Sequence, residues 1–268
     1  MISLYDAPSA QFACEGGADV LLVGDSMGNV VLGYDSTAVV TLDDIARATG
    51  AVSRGVKSSS RPDVPVVADL PIGTYSAPES AVNNAAILLR AGASAIKLEG
   101  AGPRTLECCA ALQEAGIAFM GHLGYTPQSH FALRGVVQGK EASAAQHLLD
   151  AAQALQEAGA FGVVLEAVAL QAAERITREL EVATIGIGSG PHCDGQVLVW
   201  HDLVGLSPAP ALKFVKHYAD LRAESLRAAG EFVREVQEGA FPGEEHGWRM
   251  SEEEAGRLVG EALPSETR

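Results

Sequence analysis

Positive charge is scarce in this chain. Nineteen Lys and Arg stand against 34 Asp and Glu over 268 residues, a formal charge of −15 at neutral pH. Such a field repels phosphate backbones and anionic lipid headgroups, so nucleic acid and membrane surfaces are excluded as partners. Long apolar runs are missing too. None approaches the ~20 residues of a membrane span, and the N-terminus lacks the basic-then-apolar layout of a secretory signal. Cysteine is confined to four residues, Cys14, Cys108, Cys109 and Cys193, two of them adjacent and none in a paired metal-ligand spacing. They read as reduced thiols of a cytosolic protein. No linker-like stretch divides the chain.

What is present is apolar sequence in short pieces. Hydrophobic residues make up 47% of the chain, enough for a large core. They cluster in runs such as Asp19-Val20-Leu21-Leu22-Val23-Gly24, which lack the alternation of a half-exposed strand and predict strands covered on both faces, as in a parallel sheet. Strands are expected near residues 2–5, 19–24, 64–68, 94–98, 117–121, 161–165, 183–187 and 197–200. Between them lie helical patterns ending in Gly, at Gly16-Gly17, Ala91-Gly92, Ala115-Gly116 and Ala158-Gly159. Thr41-Leu42-Asp43-Asp44 has the spacing of a capping box and predicts a helix over 42–53. Eight such βα units define a single-domain (β/α)₈ barrel, an α/β fold. A dinucleotide-binding sheet is disfavoured, because the Gly-rich turn Gly186-Ile187-Gly188-Ser189-Gly190 follows the seventh strand rather than the first. A long helical pattern from Pro210 to about Glu238 is expected to close the barrel wall. Residues 1–246 form the expected barrel domain, and 247–268 an acidic extension in which Ser251-Glu252-Glu253-Glu254 opens a short helix.

The strands share one feature that folding alone does not require. The second ends at Asp25 and Ser26, the third at Asp69, the fourth at Lys97 and Glu99, the fifth at His122 and the sixth at Glu166. In a (β/α)₈ barrel the C-terminal strand ends converge on the active site. Asp25, Asp69 and Glu99 would then meet, and three shielded carboxylates repel one another unless a cation neutralises them. Oxygen-only ligation selects Mg²⁺ or Mn²⁺ over Zn²⁺. Any one of these carboxylates, taken alone, could equally cap the following helix. Lys97 and Glu99 project to the same side of one strand, and a buried lysine needs an anion, either Glu99 or the carboxylate of a substrate. A purely structural ion pair is the plainer reading, and a lone His122 could be an ordinary core histidine.

The motifs V-G-D-S at 23–26, D-S-T at 35–37, A-D-L-P at 68–71, K-L-E-G at 97–100, G-H-L-G at 121–124, T-P-Q-S at 126–129, V-L-E at 164–166, G-I-G-S-G-P-H-C-D-G-Q at 186–196 and F-P-G-E-E-H at 241–246 run in order along the chain. Over about residues 2–246 the sequence resembles the ketopantoate (3-methyl-2-oxobutanoate) hydroxymethyltransferase family. The resemblance implies a Mg²⁺-dependent barrel, with Mn²⁺ or Co²⁺ as substitutes, assembled as a homodecamer. It also implies transfer of a hydroxymethyl group from 5,10-methylenetetrahydrofolate to 3-methyl-2-oxobutanoate, giving 2-dehydropantoate in pantothenate biosynthesis. It assigns Asp25, Asp69 and Glu99 to the metal and Asp25, Ser26, Asp69 and Lys97 to the ketoacid; His122, at the neighbouring strand tip, is added to the ketoacid contacts. Glu166 is assigned to proton abstraction at C3. The chain departs from the family pattern at residues 133–139, where Leu-Arg-Gly-Val-Val-Gln-Gly replaces Gly-Gly-Tyr-Lys-Val-Gln-Gly, which bears on substrate or folate handling. Two rivals remain: a Mg²⁺-dependent 2-oxo acid lyase or mutase barrel resembling isocitrate lyase and phosphoenolpyruvate mutase, and a non-catalytic paralogue. Retention of the polar tips argues against the second.

Overall fold

In the computed structural model, residues 1–132, 136–207 and 212–260 are described. They separate into two compact units, Met1–Ala219 and Asp220–Arg268. The first contains every strand. In chain order its elements are β1 (Ile2–Ser3), α1 (Ala7–Glu15), β2 (Leu21–Val23), α2 (Met27–Val30), α3 (Leu42–Lys57), β3 (Val66–Asp69), α4 (Pro78–Ala91), β4 (Ala95–Glu99), α5 (Pro103–Glu114), β5 (Phe119–Gly124), α6 (Ala142–Glu157), β6 (Gly162–Glu166), α7 (Leu170–Glu179), β7 (Ala183–Ile187), β8 (Gly195–Gln196), β9 (Leu198–Val199) and α8 (Trp200–Leu203).

All strand pairs are parallel, and β1 to β7 lie side by side in sequence order. The expected eighth strand at 197–200 is instead two short pieces over 195–199. β8 pairs with β7, β9 pairs with β1, and Val197 separates them. Val197 N–H still donates to the Gly186 carbonyl at 2.9 Å, and the Met1 amino group donates to the Gln196 carbonyl at 3.0 Å. One extended stretch therefore joins both edges of the sheet and closes the barrel, as the eight-unit reading requires.

Side chains alternate between two layers. Leu21, Val23, Val66, Ala68, Ile96, Leu98, Phe119, Val163 and Leu165 point outward into the main core against the helices. Leu22, Val67, Ala95 and Val197 fill the barrel interior as a smaller cluster. With a period of two, the inward series continues to Asp69 on β3, Lys97 and Glu99 on β4, His122 on β5 and Glu166 on β6. The runs looked continuously apolar because both layers are dry below the rim; only the last inward positions are polar.

The helices follow their capping signals. α3 starts at Thr41, whose Oγ1 accepts from Asp44 N–H at 3.2 Å while Asp44 accepts from Thr41 N–H at 3.0 Å, and it runs to Lys57 rather than 53. Gly92 ends α4 at φ +113°, a left-handed position that most side chains avoid. One expectation fails. The helix predicted from Pro210 does not form over residues 212–219; α9 spans Leu221–Glu238 in the second unit. Asp220 is the reason, since its Oδ1 accepts from Ala223 N–H at 3.1 Å and supplies the N-cap that the apolar spacing upstream lacked. The second unit continues with the predicted helix after Ser251, α10 (Glu252–Gly260), where Ser251 Oγ accepts from Glu254 N–H. Among the described residues no helix is long and apolar enough to cross a membrane.

Candidate active site

All seven residues singled out from the sequence line one cavity of about 490 Å³, reached through the C-terminal rim of the barrel. Strand register brings them together. Asp69 is the register partner of Lys97, and Glu99 of His122, so neighbouring strands set these side chains beside each other. His122 lies inside a strand that continues to Gly124, two residues beyond the expected tip, and Gly124 is the register partner of Glu166. A Cβ at Gly124 would stand 2.1 Å from the Glu166 carbonyl oxygen. Only glycine permits this approach, which explains the last residue of G-H-L-G.

Lys97 finds its partner in Asp69, not in Glu99. Its Nζ lies 3.0 Å from Asp69 Oδ1 and 3.2 Å from His122 Nδ1, and both members of the ion pair are buried. Burial alone would strip the proton from Lys97, but Asp69, Glu99 and Asp25 together carry its pKa above the usual lysine value. His122 faces carboxylates at both nitrogens, with Nδ1 3.3 Å from Glu99 Oε1 and Nε2 3.3 Å from Glu166 Oε2. Burial and Lys97 push its pKa down; Glu166 and Glu99 outweigh them and raise it to about 9. Glu99 is held below the usual carboxylate range, because His122, Lys97 and the Gln128 N–H outweigh its burial.

Asp25 has no cation at its side. Burial, with the charges of Asp69 and Glu99, pushes it up to about 7 against the pull of Lys97 and Gln128. Its N–H donates to Asp69 Oδ2 at 3.0 Å, fixing the two carboxylates side by side. Ser26 follows at the start of α2, where its Oγ is 2.7 Å from the Tyr5 hydroxyl.

The sequence reading gave no role to Gln128 or Tyr75. Gln128, in T-P-Q-S, is buried and touches three strand ends: its Nε2 donates to Asp25 Oδ2 at 2.9 Å and to the Leu70 carbonyl at 3.0 Å, and its N–H donates to Glu99 Oε2 at 3.0 Å. The Tyr75 hydroxyl donates to Gln128 Oε1. A polar residue just past a strand tip was the available signal. The Gly-rich turn is accounted for sterically, since a Cβ at Gly188 would come within 2.8 Å of the Phe214 ring and one at Gly190 within 2.0 Å of Leu170.

The donor chemistry suits a divalent cation held jointly with a ligand. Six acidic residues line the cavity, Asp25, Asp35, Asp69, Glu99, Glu166 and Asp202, against one lysine, Lys97, and two histidines, His122 and His217, so acidic groups outnumber basic ones. Asp69 Oδ1 and Glu99 Oε1 are buried and meet no neutral donor, their partners being the basic groups Lys97 Nζ and His122 Nδ1. Among the described residues no three His, Cys, Asp or Glu side chains are poised to cage a metal unaided. Mg²⁺ does not need such a cage, because it normally takes one or two carboxylates and completes its shell with water and substrate oxygens.

This fold and site define a (β/α)₈-barrel enzyme with an acidic cavity at its C-terminal rim. Among solved structures it is similar to the phosphoenolpyruvate phosphomutase of Streptomyces platensis subsp. rosaceus, with TM-score 0.60 and 15% identity over 97% of this chain and 89% of that one. At that identity the likeness concerns the fold alone. The model of the family described as "Ketopantoate hydroxymethyltransferase" matches residues 1–244. Proteins named 3-methyl-2-oxobutanoate hydroxymethyltransferase are 51% identical in Carboxydothermus hydrogenoformans, over 94% of this chain and 91% of that protein, and 53% identical in Thermobifida fusca, over 92% and 87%. The chain belongs to the ketopantoate hydroxymethyltransferase family.

Proposed function

We propose that the cavity binds 3-methyl-2-oxobutanoate with a divalent cation and transfers to it a hydroxymethyl group from 5,10-methylenetetrahydrofolate, giving 2-dehydropantoate. The observation that carries this reading is the convergence of Asp25, Asp69, Lys97, Glu99, His122 and Glu166 on one cavity, in a chain about half identical to enzymes of that name. Asp25 and Asp69 would hold the cation, with Glu99 beside them completing the site. When bound, the cation supplies a Lewis acid to the keto group, which acidifies the neighbouring C3–H. Mg²⁺ fits the oxygen donors, with Mn²⁺ or Co²⁺ as substitutes.

The chain's own residues carry the remaining steps. Lys97, with His122 3.2 Å away, gives the ketoacid carboxylate a positive seat, and the Ser26 hydroxyl donates to the ketoacid. Leu22, Val164, Ile187 and Val197 provide an apolar wall for the isopropyl group. Glu166 takes the C3 proton; it is more open to the cavity than the other carboxylates, with 21% of its side chain accessible, and His122 fixes its orientation. The C3 carbanion attacks the methylene carbon of the folate, and with one water the products are 2-dehydropantoate and tetrahydrofolate. Of the sequence departure at 133–139, residues 133–135 lie outside the described residues. We assign the protein to the cytosol as a homodecamer.

A lyase or mutase reading rests only on solved structures at about 15% identity, against 51% for the hydroxymethyltransferases. The deciding experiment follows the C3 proton of 3-methyl-2-oxobutanoate by NMR in D₂O with and without Mg²⁺ and tetrahydrofolate. Mg²⁺-dependent loss of that proton is expected; a stable C3–H signal with both present would rule the reading out.

A further inference from the structure

The geometry points to Gln128 as a positioning residue that sets the affinity of the site for its divalent cation, with Tyr75 holding Gln128 in register. The inference rests on the reading of Asp25 and Asp69 as the cation's seat. Every hydrogen-bonding group on this amide is used in one sense only. Both protons on Nε2 go to acceptors, Asp25 Oδ2 at 2.9 Å and the Leu70 carbonyl at 3.0 Å. Its Oε1 accepts from the Tyr75 hydroxyl. An amide turned over would aim its oxygen at a carboxylate and a carbonyl and its NH₂ at a hydroxyl that also needs an acceptor. The Gln128 side chain is therefore locked in a single orientation.

That orientation acts on Asp25. Gln128 claims Oδ2, and among the described residues Oδ1 takes no hydrogen bond, so one oxygen is fixed on the protein and the other is presented to the cavity beside Asp69. Asp25 sits past the end of β2 in a loop, where neither sheet hydrogen bonds nor a cation partner hold its side chain. Gln128 reaches it from the segment after β5, three strands along the sheet, and its own N–H secures Glu99 at the same time. One residue thus fixes the spacing of the strand ends that carry the carboxylates. Groups that orient a ligating side chain typically change metal affinity by about 10–100-fold when removed.

The test is Mn²⁺ binding, read from the free-ion EPR signal, for the wild-type protein, Gln128→Leu and Tyr75→Phe, with circular dichroism and melting temperature alongside. Gln128→Leu is expected to weaken Mn²⁺ about 10–100-fold. Tyr75→Phe, which deletes only the hydroxyl that orients Gln128, is expected to weaken it less and in the same direction. At low Mn²⁺ the apparent KM for 3-methyl-2-oxobutanoate rises in both variants, while kcat for C3 exchange recovers at saturating Mn²⁺. A role in packing alone would lower the melting temperature and leave Mn²⁺ affinity unchanged, and that result overturns the inference. Should Gln128→Leu fail to fold, Tyr75→Phe decides by the same measurement. A wild-type protein that binds no Mn²⁺ would overturn the metal reading together with this one; a wild type that binds it beside unaffected variants would overturn this one alone.

Discussion

At the scale of single residues, identical side chains acquire different duties from their neighbours. Asp25 and Glu99 are both buried carboxylates, yet one is raised to about 7 among like charges and the other held low by His122 and Lys97. Glu166 is the group with room to meet a substrate. Glu166→Gln keeps its size and its reach to His122 but removes the basic oxygen, so C3 proton exchange should slow by ~10²–10⁴-fold while ketoacid binding persists. Exchange at the native rate would move the base elsewhere, and His122 would be tested next. Lys97 would carry a double role under the proposed function, and its ion pair could not be read from its strand position, because Asp69, its partner at 3.0 Å, comes from the neighbouring strand. Lys97→Ala should raise the ketoacid KM by ~10–100-fold, the value of a hydrogen bond to a charged group at about 1.5–3 kcal/mol. It should also lower the melting temperature, since Asp69 is left buried without its cation. A lower melting temperature with an unchanged KM would make the lysine purely structural.

At the scale of elements, local signals were legible where the chain satisfies its own hydrogen bonds. The Thr41–Asp44 box is an example, and it carries a pH signature. Its hydrogen bonds from Thr41 hold Asp44 below the ordinary value of 3.8. A depressed carboxylate adds stability that is fully present above its unfolded pKa and is lost as pH falls through its folded one. Thr41→Ala should therefore cost about 1 kcal/mol near neutrality, and the difference from wild type should shrink in melts below pH 4. A penalty unchanged at pH 3 would show that Thr41 works through its acceptance of the Asp44 N–H rather than through the carboxylate. The polar strand ends were legible for a related reason, since a charged residue closing an apolar run has few destinations other than the rim. The start of α9 and the split eighth strand were not. The first depends on Asp220 overriding the apolar spacing before it, and the second on a break in strand pairing at Val197, on either side of which one stretch pairs with a different barrel edge. Gln128 was missed because its importance lies in contacts with residues 58 and 103 positions away.

At the scale of the whole molecule, the cavity gathers six of the 34 acidic residues, and stability inherits the consequence. Asp25 has its pKa raised from 3.8 to about 7 on folding, and His122 from 6.5 to about 9. For a group whose folded value lies above its unfolded one, the contribution to stability is full below the unfolded pKa and disappears as pH rises through the folded one. Without metal, the protein should therefore lose stability as pH climbs from 6 to 9. A divalent cation held at Asp25 would reverse the argument there, because it would bind the ionised carboxylate and displace a proton at pH 6 but hardly at pH 8. Binding to the native state alone adds RT ln(1 + [L]/Kd), so tighter binding at higher pH means a larger gain in melting temperature. Melts in EDTA and in millimolar Mg²⁺ at pH 6 and pH 8 should show a falling melting temperature in EDTA and a Mg²⁺-induced rise that is greater at pH 8. An equal rise at both values would mean that the cation is held away from Asp25, and that the carboxylate gathered by β2 and Gln128 serves the ketoacid or the fold instead.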